Sequence, residues 1–168
     1  MTEFNVYGPC NVPRKKRYYR WWVDIEGIKD FWTDHDSIAG SIGCYVFAMR
    51  SKSLKPLYVG LTTRSFKEEC FTKHKMYHYD EALKEYSKGT PVMFFVTSAE
   101  KPTIPRCREI AQLENYLIQN GRYINPNLRN IRGGHPPSWT ISGVLRGGAG
   151  KPSDGAKRFR RMMRMSSG

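Results

Sequence analysis

Residues 43–60, which read GCYVFAMRSKSLKPLYVG, are the starting point for predicting the architecture of this chain. Two runs within this stretch, 44–49 and 57–60, are apolar and rich in residues that favour strands. A polar segment separates them, and this arrangement is typical of an antiparallel hairpin. The first strand carries Tyr45 and the second carries Tyr58, each close to a glycine. The stretch by itself therefore predicts a hairpin that presents two tyrosines.

Four further segments have the periodicity of regular structure. Residues 92–96 are continuously apolar, which predicts a third and buried strand. Helical spacing and flanking breakers predict helices at about 65–75, 79–87 and 106–120. These elements predict an α+β fold, namely a small three-stranded antiparallel sheet flanked by helices, with N- and C-terminal extensions.

The extensions carry weaker signals. Residues 1–22 show no regular periodicity, and a short helix over 25–32 would begin at the capping residue Asp24. In the C-terminal part, 139–145 favours a further strand, while 154–165 is either a basic helix or a disordered basic tail.

The chain shows no internal repeat and no second apolar core, so we expect one domain. Residues 1–41 would form a basic and aromatic extension packed on the core. Residues 42–131 would form the core itself, and 132–168 a Gly/Pro-rich segment with a basic tail.

The net charge is +13, from 28 Lys and Arg against 15 Asp and Glu. A surplus of this size indicates more about the binding partners of the protein than about its fold. A polyanion is the natural partner, and nucleic acid is the commonest one. An anionic membrane surface and simple solubility are the alternatives. No apolar run approaches the roughly 18 residues of a membrane span, and no secretory signal is evident, so we expect a cytoplasmic protein without membrane contact.

Four features follow one another along the chain. Gly43-Cys44-Tyr45 and Tyr58-Val59-Gly60 stand on the paired strands, Glu114 stands on a later helix, and the Asn-rich run 125–130 follows. This ordered set resembles the GIY-YIG nuclease superfamily over roughly residues 42–131. The resemblance implies a metal-dependent endonuclease that hydrolyses DNA phosphodiester bonds.

The resemblance also implies roles for single residues. Glu114 would bind Mg²⁺ (or Mn²⁺), since one carboxylate suffices for an ion that keeps most of its waters. Tyr45 and Tyr58 would line the same cleft, where one orients or deprotonates the attacking water and the other holds the phosphate. A phenol has an ordinary pKa of about 10, so a nearby cation or metal must assist it as a base.

The family places an arginine on the helix after the second tripeptide, where it clamps the phosphate with two hydrogen bonds. Positions 68–70 hold Glu, Glu and Cys instead. A nearby cation could substitute, and Arg64 and Lys67 rank ahead of Lys73. Alternatively, the chain is a catalytically degenerate nucleic-acid-binding protein, or a substitution has removed the arginine.

Other polar residues are candidates for the same cleft. His74 could act as a proton shuttle, and with His78 it forms an i, i+4 pair that lacks a third metal ligand. Asn130 is the best match to the family's late polar residue, ahead of Asn127. Either asparagine could bond the water network or a backbone group, and an Asn-Pro turn with local hydrogen bonds is the alternative.

Clusters of cations outside the motifs favour contact with nucleic acid, through phosphate contacts and aromatic stacking. The candidate residues are Arg14, Lys15, Lys16, Arg17, Lys73, Arg158, Arg160 and Arg161. DNA is the expected partner, RNA remains open, and the protein could be a monomer or a homodimer. A basic small-molecule or protein-interaction domain is a more distant alternative.

Overall fold

The computed structural model describes residues 2–86, 88–98, 104–130, 139–144 and 151–165. The elements, in chain order, are β1 (Thr2–Asn11), β2 (Arg14–Arg17), β3 (Arg20–Val23), α1 (Ile28–Asp34), α2 (Asp36–Ala39), β4 (Gly43–Arg50), β5 (Leu54–Thr62), α3 (Phe66–Glu69), α4 (Lys73–Glu85), β6 (Thr90–Thr97), α5 (Ile104–Ile124), β7 (Trp139–Ile141) and α6 (Asp154–Met162).

The main sheet has the strand order β5-β4-β6-β1-β7. Strands β5, β4, β6 and β1 are antiparallel neighbours, and β7 adds to β1 in parallel. The α+β class is confirmed, but the prediction of three strands is wrong in extent. The three predicted strands are the neighbours β5, β4 and β6, and residues from both extensions enlarge the sheet.

Strand β1 lies in the segment that seemed irregular from the sequence. Its side chains alternate in burial from Thr2 to Asn5, as expected for a strand with one covered face. Gly8 and Pro9, residue types that usually interrupt strands, lie in a register shift between Tyr7 and Cys10. A bulge is one of the few places where a sheet tolerates proline, so the strand continues through both residues.

Both faces of the sheet are covered. On β4, Cys44 and Val46 belong to the apolar core on the side of α5 and α6, whereas Tyr45 and Phe47 belong to the core on the side of α1 to α4. Burial on two faces explains why the central strands are continuously apolar and do not alternate.

The helices after β5 differ from their predicted limits. Ser65 caps the start of the short α3, because its side-chain oxygen accepts a hydrogen bond from the Glu68 amide and its hydroxyl donates to the Glu68 carboxylate. The chain then turns, and Thr72 takes an extended conformation before α4 begins. The break therefore falls at residues 70–72, and Lys75 lies in the first turn of α4.

Strands β2 and β3 form a separate two-stranded hairpin. Its turn consists of Tyr18 and Tyr19, which are almost completely exposed and have positive φ angles of 49° and 64°. Its base is tied to α4, since the amide of Val23 donates to the Asp80 carboxylate at 2.9 Å. Asp24 does not cap α1, whose N-cap residue is Gly27; the Asp24 carboxylate binds Lys15 at 2.8 Å.

The C-terminal basic segment is helical over α6. The side chain of Ser153 accepts a hydrogen bond from the Ala156 amide and so caps the start of the helix. Phe159 packs against Phe94 of β6 with 5.5 Å between ring centroids. No helix of the described residues is long and apolar enough to cross a membrane.

Candidate active site

The two tripeptides meet through one tyrosine and one glycine. Tyr45 and Gly60 are directly opposite in the β4–β5 register, and the Tyr45 ring lies over Gly60. A β-carbon on Gly60 would overlap that ring. Gly43 has a φ of +147°, and a β-carbon there would overlap the carbonyl oxygen of Val96. Each glycine is therefore required by close packing inside the sheet.

Tyr45 is fully enclosed. Its side chain has no exposed area, and its hydroxyl lacks a hydrogen-bond partner among the described residues. Burial raises the pKa of Tyr45 far above its ordinary value, and the negative charges of Glu69 and Glu114 raise it further. Tyr45 therefore remains a neutral phenol at neutral pH, which disfavours a role as the base.

Tyr58 is paired with a lysine. The Nζ of Lys75 donates to the Tyr58 hydroxyl oxygen at 2.8 Å and lies 3.7 Å from the Glu69 carboxylate. Burial lowers the pKa of Lys75, but the hydrogen bond to Tyr58 and the charges of Glu69 and Glu114 outweigh it, so the pKa is raised overall. Lys75 is therefore a charged, largely buried ammonium group at the tyrosine.

Glu114 reaches this neighbourhood from α5, which packs along the edge strand β5. Its side chain is half-buried, and its carboxylate has no hydrogen bond or ion pair with the residues that the structure describes. Burial raises the pKa of Glu114, and the positive charge of Lys75 lowers it in part. The carboxylate thus has free acceptor capacity within electrostatic reach of Lys75 and Tyr45.

Asn130 holds the outer edge of β5. Its side-chain oxygen accepts from the Val59 amide at 2.8 Å, and its side-chain nitrogen donates to the Val59 carbonyl at 2.6 Å. The side chain thus replaces a neighbouring strand at the tripeptide Tyr58-Val59-Gly60. Of the two roles left open, Asn130 bonds a backbone group. Asn127 is exposed, and its amide donates to Asn125 at 3.2 Å in a local turn.

The cations proposed as substitutes for arginine take different positions. Arg64 pairs with Glu69 at 3.1 Å, so Glu69 links Arg64 to Lys75. Lys67 points away from the tyrosines and lines a shallow depression with residues of α1 and α2. Lys73 is exposed at the start of α4.

Lys75 is the site residue that the sequence did not single out. The predicted helix 65–75 placed it at a helix end, far from the expected arginine position. In the structure, the break at 70–72 starts a new helix, and its first turn directs Lys75 at Tyr58. The available sequence signal was the i, i+3 spacing of Lys75 with His78, which predicts that the two side chains are neighbours on one helix face. In the structure, His78 stacks on Tyr58 with 5.2 Å between the ring centroids.

The histidine pair lies beside the tyrosine. The Nε2 atoms of His74 and His78 are 3.3 Å apart. Burial lowers the pKa of His78, and the charges of His74, Arg129 and Lys75 lower it further. No group of three or more His, Cys, Asp or Glu side chains in the described part of the chain is arranged to hold a metal ion.

The basic residues of the extensions lie outside this site. Arg14 stacks on Trp21 at 4.1 Å, and Lys15 is paired with Asp24 and Glu26. The other cations proposed for nucleic-acid contact are exposed or partly exposed on β2 and α6: Lys16, Arg17, Arg158, Arg160 and Arg161.

No protein-family model, curated protein or solved structure matches the chain. Its chemistry is therefore inferred from the residues of the site.

Proposed function

We propose that the protein is a metal-dependent endonuclease that hydrolyses DNA phosphodiester bonds at a GIY-YIG-type site. The observation that carries the proposal is the hydrogen bond of 2.8 Å between Lys75 and Tyr58, within the electrostatic reach of Glu114. A charged ammonium, a phenol and an unpaired carboxylate form the minimal set that phosphodiester hydrolysis needs: a phosphate ligand, a group to orient water and a metal ligand.

Glu114 fits a hard divalent cation. Its half-buried carboxylate lacks a protein donor among the described residues, and Mg²⁺ typically takes one or two carboxylates while keeping several waters. A bound Mg²⁺ or Mn²⁺ would supply charge neutralisation at the phosphate and stabilise the leaving oxygen. Glu114 would hold the ion, and its raised pKa means that ion binding competes with a proton.

Lys75 would take the place of the absent arginine. It offers a single point charge, whereas arginine offers a two-pronged fork, so it would bind one phosphate oxygen. The Tyr58 oxygen accepts a hydrogen bond from the ammonium, and the Glu69 carboxylate forms an ion pair with it. Both contacts hold the ammonium in position. Because Lys75 donates to the Tyr58 oxygen, the phenol hydrogen stays available to a phosphate oxygen or the attacking water.

Tyr45 and Asn130 would act as positioning residues. Tyr45 packs over Gly60 and lies 6.4 Å from the Tyr58 ring, measured between centroids. Asn130 holds the Val59 backbone from the other side. Both fix the strand that carries Tyr58, and His74, next to His78, remains the candidate proton shuttle.

Nicking of supercoiled plasmid with Mg²⁺ or Mn²⁺ tests the proposal. We expect the intact chain to nick, and Glu114→Gln and Lys75→Met to lose nicking. Lys67→Met is the matched control, because Lys67 is an exposed lysine that lies away from Tyr58. An intact chain that is as inert as Glu114→Gln with both ions contradicts the proposal.

A second candidate function is nucleic-acid binding without cleavage. It is favoured by Glu69, which places a negative charge in the sequence window of the expected arginine. DNA binding that weakens steeply with salt, without nicking, would establish it. Binding that stays flat between about 50 and 200 mM salt would instead favour a small-molecule or protein-interaction domain.

A further inference from the structure

A basic cavity lies at the other end of the β4–β5 hairpin, away from Tyr45 and Tyr58. Its volume is about 440 Å³. Six of its lining residues are cationic, and none of the lining residues is acidic. The six are Arg50, Lys52, Lys55, Arg158, Arg161 and Arg164. We refer to this feature, defined by these six residues, as the basic cavity.

Two separate parts of the chain supply the cations. The end of β4 and the turn into β5 supply one wall, and α6 with the residues after it supplies the other. On α6, Arg158 and Arg161 are three residues apart, which places them on neighbouring positions of one face, and Arg164 follows the helix. Phe159 and Met162 are both buried in the core and anchor the helix, and Met162 also lines the cavity. The fold thus fixes the basic face in place.

Most of these cations have no partner in the described part of the chain. Arg50 donates to Asn11 at 2.8 Å, and Lys55 lies over the Tyr86 ring at 4.5 Å. The side chains of Lys52, Arg158, Arg161 and Arg164 make no hydrogen bond or ion pair with described residues. Like charges held together without acids repel one another, and an anion relieves that repulsion.

Arg164 adds a backbone observation. It has a φ of +49° after the last turn of α6, a position where glycine is the usual residue. An arginine in the left-handed conformation costs free energy, and here it adds a sixth cation to the cavity wall.

We infer that the basic cavity binds consecutive backbone phosphates of a nucleic-acid strand, at a place separate from the Tyr58–Lys75 site. Guanidinium groups match phosphate geometry, and six cations exceed the charge of about −2 that one phosphate group can bring. The cavity begins at Arg50, three residues beyond the Phe47 that pairs with Tyr58. At about 3.3 Å per residue, Arg50 and Phe47 are roughly 10 Å apart along β4, and α6 covers the opposite face of the sheet from α4, which carries Lys75.

This inference rests on the proposed function for the identity of the polyanion, but its test needs no cleavage. Fluorescence anisotropy in EDTA measures the affinity for a labelled oligonucleotide, single-stranded and duplex, over a range of salt. The variant Arg158→Ala/Arg161→Ala removes two cations from one wall. The matched control, Lys29→Ala/Lys67→Ala, removes two exposed lysines next to α1.

We expect the cavity variant to reduce the slope of log K against log salt by nearly 2, at about 0.9 per lost phosphate contact, and the control to leave it almost unchanged. Lys52→Ala, on the exposed turn of the other wall, should reduce the slope by about half as much. A wild-type slope in both cavity variants, or an equal reduction in the control, overturns the inference.

Free tripolyphosphate separates a strand from a small polyphosphate. If the cavity variant loses tripolyphosphate binding but keeps wild-type affinity for both oligonucleotides, the cavity does not bind a strand and the inference fails. The result is also separable from the proposed nuclease function. DNA binding that depends on the cavity, without plasmid nicking, would contradict only the nuclease proposal. Plasmid nicking together with DNA binding that does not depend on the cavity would contradict only the cavity inference.

Discussion

The candidate active site and the basic cavity differ in their balance of positive and negative side chains. At the active site, Lys75 and Arg64 both contact Glu69, and Glu114 adds a second negative charge nearby. At the basic cavity, six cations face a common space with no acid in its lining. Much of the +13 surplus therefore lies away from the groups proposed to do chemistry. A balanced site suits bond cleavage with an added metal, and an unbalanced one suits binding of a polyanion.

The largest expected effect comes from Glu114→Gln. Glutamine keeps the shape but removes the negative charge that would hold Mg²⁺. Loss of residues that merely support a metal ligand costs about 10- to 100-fold, so loss of the ligand itself should lower the single-turnover cleavage rate more than about 100-fold. DNA affinity in EDTA should stay unchanged, because the basic cavity is intact. A fall in DNA affinity as large as the fall in cleavage rate would show that the two regions do not have separate functions.

Lys75→Met should lower the cleavage rate by about 100-fold, the usual cost of one electrostatic donor at a reacting oxygen. It also leaves the Tyr58 hydroxyl without its donor. Lys75→Arg should recover part of the rate, since it restores the charge. Single-turnover kinetics at saturating protein measure all three chains. Equal rates for Lys75→Met and Lys75→Arg would show that the charge is not what matters.

Gly60→Ala should destabilise the protein by about 1 to 3 kcal/mol, as overpacking does in a filled core. The added methyl group would collide with the Tyr45 ring. Ser53→Ala, in the turn beside the basic cavity, is the control and should change the melting temperature little. Thermal melts followed by circular dichroism provide the measurement, and an unchanged midpoint for Gly60→Ala would contradict the Tyr45–Gly60 packing.

The smallest effect is a dependence of stability on pH. Burial raises the pKa of Glu114 above its ordinary value. At a pH well below the ordinary glutamate pKa, the carboxyl is protonated in both the folded and unfolded chain, so Glu114→Gln should melt like the wild type. As pH rises through the raised folded-state pKa, the wild type must ionise a half-buried group and loses stability relative to the variant.

We therefore expect Glu114→Gln to melt higher than the wild type at about pH 7 and equally at about pH 3, in EDTA. A site kept for function at the expense of stability would behave this way. A variant that melts lower than the wild type at neutral pH would mean that Glu114 is a stabilising structural residue.

The fold was predictable where burial dictates the pattern. Continuous apolar runs marked β4, β5 and β6, since strands covered on both faces cannot alternate. Strand β1 was not predictable in the same way, because Gly8 and Pro9 signal a break in the sequence but lie at a register shift in the structure.

The residues of the candidate site were predictable from the sequence, but their surroundings were not. The motif order singled out Tyr45, Tyr58 and Glu114, and the structure brings these three residues into one neighbourhood. Their surroundings depend on tertiary packing that no local pattern encodes. The enclosure of Tyr45 depends on Gly60 across the sheet, and the approach of Lys75 depends on a helix break that periodicity placed elsewhere.

We propose that cleavage and strand binding occur at different places on the molecule. The separation is tested by two measurements, the single-turnover cleavage rate at saturating protein and the oligonucleotide affinity in EDTA, made on the wild type, Glu114→Gln and Arg158→Ala/Arg161→Ala. We predict that Glu114→Gln loses the rate and keeps the affinity, while the arginine variant loses affinity and keeps the saturated rate. Two variants that lose rate and affinity together, or a wild type that binds but never cleaves, would contradict it.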